Sequence, residues 1–514
     1  MKQAKVNGDN NAGELSTNQK LLPHLVIIIS ILMPLLVVVS VLLLKLAHFY
    51  VMDSDPLWSI AVGEWINTHR TVPYVDVFSW TVAGEQWYSN SWLFCWLIYI
   101  TDQSLGYLGI ALIMLIPCLV TGYFLFFMCK NYHDSHFAYL AFLAGISLLI
   151  FIAISPRALI YTFPFVAIIM YLIRFKLDSK IIYVIPLIMF LWANIQSSMR
   201  FGVMILFVEA LVGTIFFKDR RLWPVVGLSF LATLMNPYGF DFWNISFAGF
   251  FTPGFQYVTE WRSPDFNNMY ILILYLALFL IALLGAFRIK DDLGHKVIDR
   301  NRIMILFWFW AALLYSLTTV RAVHYVLLLL GPCFAAIATK SLDENRYLKP
   351  AIFIMVILLF LTSLTTTLPL LPLENDPESG KPVSFVEYLQ VNPVLHDEVA
   401  HIIPNEATEF LKDNPVMLDR LFNSFIFGGY LLMTDVEVFI DARSTVFLRQ
   451  DVFDDYIKMT NIVIKPETII EKYEINTFLL SKNERLVFYL DLHPEWNKKY
   501  EDDIAVIYSK IDLD

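Results

Sequence analysis

Tyr50–Trp92, YVMDSDPLWSIAVGEWINTHRTVPYVDVFSWTVAGEQWYSNSW, is the long polar interval in the N-terminal quarter of a very apolar chain. It carries Asp53, Asp55, Glu64, Asp76 and Glu85 among a dense set of Trp and Tyr. An apolar run, His24–Leu46, precedes it and others follow. Asp55-Pro56 predicts a helix start, with Asp as N-cap and Pro at the first helical position. Trp58, Ala61, Val62, Trp65 and Ile66 recur on one face of that helix. The pattern reads as an amphipathic helix lying in a membrane interface, its Trp residues at headgroup depth. Thr71-Val72-Pro73 ends the helix, and Ala83-Gly84-Glu85 reads as a turn between two short extended pieces.

The rest of the chain is the setting for this loop. Its 514 residues are 57% hydrophobic and 16% charged, where a soluble domain carries about 25% charged residues. Apolar segments recur near 105–129, 137–155, 158–175, 181–198, 203–217, 221–236, 269–288, 302–320, 322–339 and 349–371. With the first run they predict a mostly α, polytopic helical membrane domain of about eleven spans over residues 23–372, at about 20 residues per span. A net charge of -10 argues against nucleic acid as a partner. Cys95, Cys118, Cys129 and Cys333 lie in apolar stretches without metal-ligand spacing and read as packing residues.

Basic residues orient the domain, because Lys and Arg concentrate on the cytoplasmic side. One set of loops holds Lys130, then Arg174, Lys176 and Lys180, then Lys218, Arg220 and Arg221. It continues with Arg288, Lys290, Lys296, Arg300 and Arg302, and with Lys340, Arg346 and Lys349. The alternate loops hold Arg70, Arg157, Arg200, Arg262 and Arg321. The bias places the polar, disordered tail 1–22 in the cytosol and the loops 47–104 and 236–268 outside the cytoplasmic (inner) membrane. It requires Trp87–Ser104 to lie on or dip into the outer leaflet rather than cross. Residues 373–514 contain no span and fall outside as well. There Pro404–Asp413, Pro466–Tyr473 and Glu484–Leu492 read as helices. Val416–Leu421, Val436–Ile440, Asn476–Leu480 and Ile504–Tyr508 read as strands, so a small extracytoplasmic α/β domain is expected.

Asp55 has two readings: a cap alone, or a carboxylate at the membrane surface serving as general base or metal ligand. Asp53, two residues earlier, adds a neighbour with which it could share a divalent cation. The order Asp53-x-Asp55-Pro56, Gly63, Ile66, Val72-Pro73, Asp76, Phe78-Ser79, Gly84, Trp87 and Trp92-Leu93 resembles the first outer loop of a family of bacterial polytopic membrane proteins. These are glycosyltransferases of the GT-C class, related to protein mannosyltransferases, lipid A aminoarabinose transferase and oligosaccharyltransferase. The resemblance implies that Asp55, with Asp53, is the catalytic or metal-binding carboxylate, and that Mg or Mn is a candidate cofactor. Ser59 stands where relatives often have His, and Asn90-Ser91 where they often have Glu.

The second outer loop, with Asn236-Pro237-Tyr238-Gly239 and Glu260-Trp261, resembles the same family. Glu260 reads either as a second catalytic carboxylate or as the partner of Arg262 or Arg200. Arg157, Arg200, Arg262 and Arg321 are candidates for holding a donor phosphate, since guanidinium binds phosphate bidentately. Each is otherwise expected to meet a local carboxylate or a lipid phosphate. In the C-terminal domain Phe427-Gly428-Gly429-Tyr430 and Asp441-Ala442-Arg443 resemble the family's Trp-Gly-Gly-Tyr and Asp-Gly-Arg. By analogy with oligosaccharyltransferase, Gly428, Gly429, Tyr430, Asp441 and Arg443 become acceptor-binding candidates. The alternatives are tight packing at the glycines and a local ion pair at Asp441 and Arg443. His24, His48, His133, His136 and His324 show no metal-ligand pattern.

The reading that results is a GT-C-like glycosyltransferase moving a sugar from a polyprenyl-phosphate-linked donor to a glycan, lipid or protein acceptor. A transporter of lipid-linked sugars is the alternative from another class, and would show ionisable groups at the bilayer midplane. Glu209 is the main residue of that kind. A non-catalytic envelope assembly protein is the third reading.

Overall fold

The computed structural model describes residues 32, 35–43, 54–133, 136–251, 259–294, 299–337, 361, 383, 384 and 403–510. The membrane part is built from α1 (35–43), α2 (Asp55–His69), α3 (Trp92–Leu105), α4 (Tyr107–Tyr132), α5 (His136–Ala153), α6 (Thr162–Phe175) and α7 (Ile185–Ile195). It continues through α8 (Met199–Phe217), α9 (Trp223–Thr233), α10 (Asp241–Phe251), α11 (Met269–Gly294), α12 (Arg300–Ser316) and α13 (Val323–Ile337).

Among the described residues five helical segments are long and apolar enough to cross a membrane: Tyr107–Tyr132, Ala158–Phe175, Met199–Phe217, Met269–Lys290 and Val320–Ile337. Two of the expected spans are shorter than a crossing. Segment 181–198 holds the 11-residue α7, and segment 221–236 holds the 11-residue α9. A 3-10 turn, Lys180–Val184, runs into α7 and makes a helix of 16 residues, Lys180–Ile195, whereas α9 alone is about 16 Å long against about 30 Å of hydrocarbon. The proline in its first turn sets the start of α9, and the extended backbone of Gln196 stops α7. The expected span 349–371 and most of the first lie outside the described residues, apart from 361 and α1. Helix α3, in the segment expected to lie on the leaflet, has 14 residues and packs along α2 and α4.

The C-terminal part is a four-stranded sheet, in the order β1 (Leu421–Asn423), β2 (Thr477–Ser481), β4 (Ala505–Lys510), β3 (Trp496–Glu501). β1 runs parallel to β2, pairing Phe422 with Phe478, and the other pairs are antiparallel. Helices α14 (Asn405–Asp413), α15 (Gly428–Met433), α16 (Ser444–Arg449), α17 (Val452–Thr460), α18 (Pro466–Tyr473) and α19 (Arg485–Asp491) cover it. Three sequence expectations change. Pro415–Leu418 is a 3-10 turn, and only Leu421–Asn423 of that neighbourhood enters the sheet. Val436–Ile440 stays out of the sheet: Val438 pairs instead with the first loop, donating to Phe78 O at 3.3 Å and accepting from Trp80 N at 3.2 Å. The unexpected strand β3 is an edge, half of it exposed, whose Lys498, Lys499 and Glu501 hide the period-2 signal.

The first loop is therefore built into the C-terminal domain. Trp80 Nε1 donates to Leu421 O at 3.0 Å and Thr81 Oγ1 to Phe439 O at 2.7 Å. Helix α2 is not a solitary interfacial helix. It buries Leu57, Ser59, Ile60, Ala61, Val62, Gly63 and Ile66, with α3 against it on one flank and α15 on another. A Cβ at Gly63 would lie 2.0 Å from Cys95 O, so only glycine permits this approach of α2 to α3.

Candidate functional site

Asp55 is not the N-cap of α2. Ser54 takes that position, and Asp55 and Pro56 begin the first turn. The Asp55 carboxylate meets two side chains. Its Oδ1 accepts from Trp58 Nε1 at 3.0 Å and its Oδ2 lies 3.0 Å from Arg157 Nε. A guanidinium satisfies a carboxylate better than one backbone N–H does, so the distant partner wins over the local cap. Asp53 lies outside the described residues.

Arg157 sits just before a 3-10 turn, Ala158–Tyr161, with extended backbone that projects it from the bundle's end. It bridges Asp55 and Glu260, and Glu260 Oε2 reaches Arg321 at 3.2 Å. The result is an alternating chain, Asp55–Arg157–Glu260–Arg321. Glu260 sits in a 3-10 turn, Thr259–Trp261, tied to the segment that leads into α13: Thr319 Oγ1 donates to Glu260 O at 2.9 Å and Val320 N to Arg262 O at 2.9 Å. Burial pushes the Glu260 carboxyl up, but Arg321 and Arg157 outweigh burial and hold it below its ordinary value. Glu260 thus pairs with Arg157 and Arg321, two partners that the sequence spacing did not suggest. Arg262 is exposed. Arg200 instead lies over the Phe201 ring at 5.1 Å and lines a cavity.

That cavity, of about 210 Å³, gathers Asp55, Trp58, Arg157, Arg200, Arg321 and His324. Ser59, Asn90 and Ser91, the positions that depart from the family pattern, line it too. Through Phe201, Tyr315 and Tyr325 it meets an apolar groove of about 470 Å³ between α6, α8, α12 and α13. The Asn236–Gly239 motif clips the first loop beside this cavity. The Tyr238 hydroxyl accepts from Ser89 N at 3.1 Å and donates to Pro73 O at 3.2 Å, while Tyr74 donates to Pro237 O at 3.0 Å.

The C-terminal domain supplies the remaining wall with Ala442, Arg443 and Thr445. Arg443 is fully buried between two carboxylates. Its Nη2 donates to Asp441 Oδ2 at 2.6 Å and its Nη1 contacts Asp76 of the first loop. Asp76 also accepts from Ser79 N at 2.9 Å and Ser79 Oγ at 2.6 Å. The guanidinium lies over the Phe78 and Trp87 rings at 4.7 and 4.8 Å. Burial disfavours the charge on Arg443, but Asp441 and Asp76 outweigh it and keep the group above its ordinary value. Asp441 itself is pushed up by burial. The residues expected at an acceptor surface are thus engaged within the protein. A Cβ at Gly428 would lie 2.5 Å from Ile440 O, and one at Gly429 2.7 Å from Ser54 O. The Tyr430 hydroxyl donates to Asn405 Oδ1 at 2.7 Å. Asp441 and Arg443 form the expected local ion pair, and Asp76 is the third member that sequence spacing did not reveal.

Among the described residues no group of three or more His, Cys, Asp and Glu side chains is placed to hold a metal ion. Asp55 offers one carboxylate whose Oδ2 already faces Arg157. A divalent cation here would have to compete with that guanidinium or draw on Asp53.

No protein-family model and no curated protein matches the chain. Solved structures do. The apo oligosaccharyltransferase of Archaeoglobus fulgidus aligns at 12% identity over 87% of this chain and 69% of that one, with a TM-score of 0.50. The A. fulgidus oligosaccharyltransferase AglB, in complex with an inhibitory peptide and a dolichol-phosphate, aligns at 11% identity over 90% and 70%, with a TM-score of 0.50. ArnT from Cupriavidus metallidurans, bound to undecaprenyl phosphate, aligns at 10% identity over 96% and 99%, with a TM-score of 0.49. At such identities the likeness is one of fold, and the oligosaccharyltransferase alignments give this chain a GT-C-like architecture.

Proposed function

We propose that this chain is an integral membrane glycosyltransferase that moves a sugar from a polyprenyl-phosphate-linked donor to a glycan, lipid or protein acceptor at the outer face of the cytoplasmic membrane. The observation that carries the reading is the join between the arginine-bearing cavity and the apolar groove at Phe201, Tyr315 and Tyr325. A prenyl phosphate has the same two-part form, an anionic head on an apolar chain. AglB, of the same fold, binds a dolichol-phosphate, which supports a donor of this chemistry.

Arg200 and Arg321 stand at the cavity end to take the phosphate. The acceptor enters beside Ala442 and Thr445 and attacks the anomeric carbon. The bond from that carbon to the phosphate oxygen breaks, the phosphate leaves with the electron pair, and the acceptor's proton passes to Asp55. Arginine charge preorganised around the leaving phosphate lowers the barrier. Arg157 links the two events: an arriving phosphate competes with Asp55 for its guanidinium, which leaves Asp55 to act as the base. In the alternative role, with Asp55 a metal ligand instead of the base, Asp53 and Asp55 would hold a divalent cation, whose chemistry would be to neutralise the same leaving charge. Restoration of transfer by Mg or Mn after chelation tests that part.

The deciding experiment is mass spectrometry of lipid-linked sugars and envelope glycans in a deletion strain and an Asp55→Asn strain. Both accumulate the same donor and lose the same product. A change in the deletion strain alone removes Asp55 from the chemistry and favours the assembly reading.

A further inference from the structure

Glu209 lies inside the apolar helix α8, and Arg174, near the end of α6, is its partner; both side chains have 0% exposure. Arg174 Nη1 donates to Glu209 Oε2 at 3.1 Å, and Nη2 contacts Oε1. Burying two charges costs more than a well-packed apolar pair, so such a pair is weak grounds for stability and calls for another task. The task is visible on Glu209 Oε1, which also accepts from Trp308 Nε1 at 2.7 Å. Trp308 lines the apolar groove, whereas neither Arg174 nor Glu209 does.

Trp308 stands at the groove's far end. Phe201 and Tyr315 mark the mouth at the charged cavity, and Val208 and Trp308 lie seven residues away along α8 and α12. Seven residues of helix rise about 10 Å. An indole N–H in hydrocarbon without an acceptor is costly, and a hydrogen bond to a carboxylate is charge-assisted. The bond to Glu209 therefore fixes the ring where it stands.

Building on the lipid-linked donor reading, we infer that Trp308 is the floor of the donor's chain groove and that Arg174 and Glu209 are positioning residues that lock it. The groove then takes only the first stretch of the prenyl chain, about 10 Å from the phosphate, and the remainder of the chain runs out into the bilayer. Recognition ends at the phosphate-proximal units, so chain length beyond them carries little affinity.

The test uses full-length protein in nanodiscs with three probes: undecaprenyl phosphate, the short-chain citronellyl phosphate and inorganic phosphate. Wild-type protein is expected to bind citronellyl phosphate within about threefold of undecaprenyl phosphate. Trp308→Ala is expected to weaken both by about tenfold, the loss of roughly one buried contact set, and to leave inorganic phosphate unchanged. The double variant Arg174→Leu/Glu209→Leu removes both charges, so it keeps the fold and releases the indole. It is expected to shift the same ratio of prenyl to inorganic phosphate affinity. A purely structural pair would move the melting temperature and leave that ratio alone, which overturns the inference. Binding of undecaprenyl but not citronellyl phosphate also overturns it while the donor reading stands. Failure of wild-type protein to bind either prenyl phosphate removes the donor reading itself.

Discussion

Gly429→Ala should slow transfer without touching any charged group of the site. The new Cβ would lie 2.7 Å from Ser54 O, 3.2 Å from Leu57 Cβ and 3.4 Å from Trp58 N. Carbon and carbonyl oxygen approach no closer than about 3.3 Å, so about 0.6 Å must be opened. Helix α2 has little room to retreat, because Gly63 rests on Cys95 O, and α15 has little, because Gly428 rests on Ile440 O. The displacement falls on the turn Ser54–Trp58, which carries Asp55 and its Trp58 hydrogen bond. Misplacing a catalytic group by about 1 Å can cost about a hundredfold, so about tenfold in kcat is expected here. Overpacking costs about 1–3 kcal/mol, and the gain of Ala over Gly within a helix, about 1 kcal/mol, offsets part of it. The protein should therefore stay folded. The assay is turnover of the native donor in isolated membranes by mass spectrometry, with undecaprenyl phosphate affinity measured beside it. Affinity should hold within twofold, since Arg157, Arg200 and Arg321 lie on other elements. A folded variant with wild-type turnover would refute the idea that the C-terminal domain sets the position of Asp55.

Asp55→Asn should lower turnover at least a hundredfold, while undecaprenyl phosphate binds as tightly or tighter because Arg157 loses an anionic competitor; weaker binding would contradict this. Arg443→Met leaves Asp76 and Asp441 facing each other in a buried site, a break of about 3–5 kcal/mol. It should expose the Trp80–Trp87 loop to limited proteolysis, and resistance equal to wild type would count against the triad as the domain latch. Burial lifts the Glu484 carboxyl to about 6, partly offset by the Ser424 hydroxyl. A carboxyl raised on folding adds stability below its ordinary value of 4.5, and that contribution is lost as pH rises through about 6. Glu484→Gln should therefore gain in Tm over wild type between those pH values and hold a constant difference above them. A flat difference across that window would refute the assignment.

Much of the helical membrane part was legible because it rests on composition. A crossing needs about 20 apolar residues and few charges, which any single segment displays on its own. The short α7 and α9 escaped this reading, since hydropathy does not register the proline start of α9 or the extended backbone at Gln196 that stops α7. Helices α14, α18 and α19 and the inner strands of the C-terminal sheet carried local patterns, whereas α15, α16 and α17 were not read from the sequence. Edge strand β3 carried none, and Val436–Ile440 had strand composition but found its partner in the first loop.

The stretch Tyr50–Trp92 announced Asp55 by residue type, and the i,i+3 spacing of Asp55 and Trp58 is a local contact that one turn of helix delivers. Everything else about that carboxylate was decided by packing. Arg157 is 102 positions away and Glu260 another 103, and no local propensity encodes which arginine will face which acid. The same holds for Asp76 and Arg443, 367 residues apart. The sequence by itself determined an apolar helical chain with carboxylates and arginines in its polar loops. Only the tertiary structure decided their pairing, because a charge chooses its partner by distance and burial once the helices are in place.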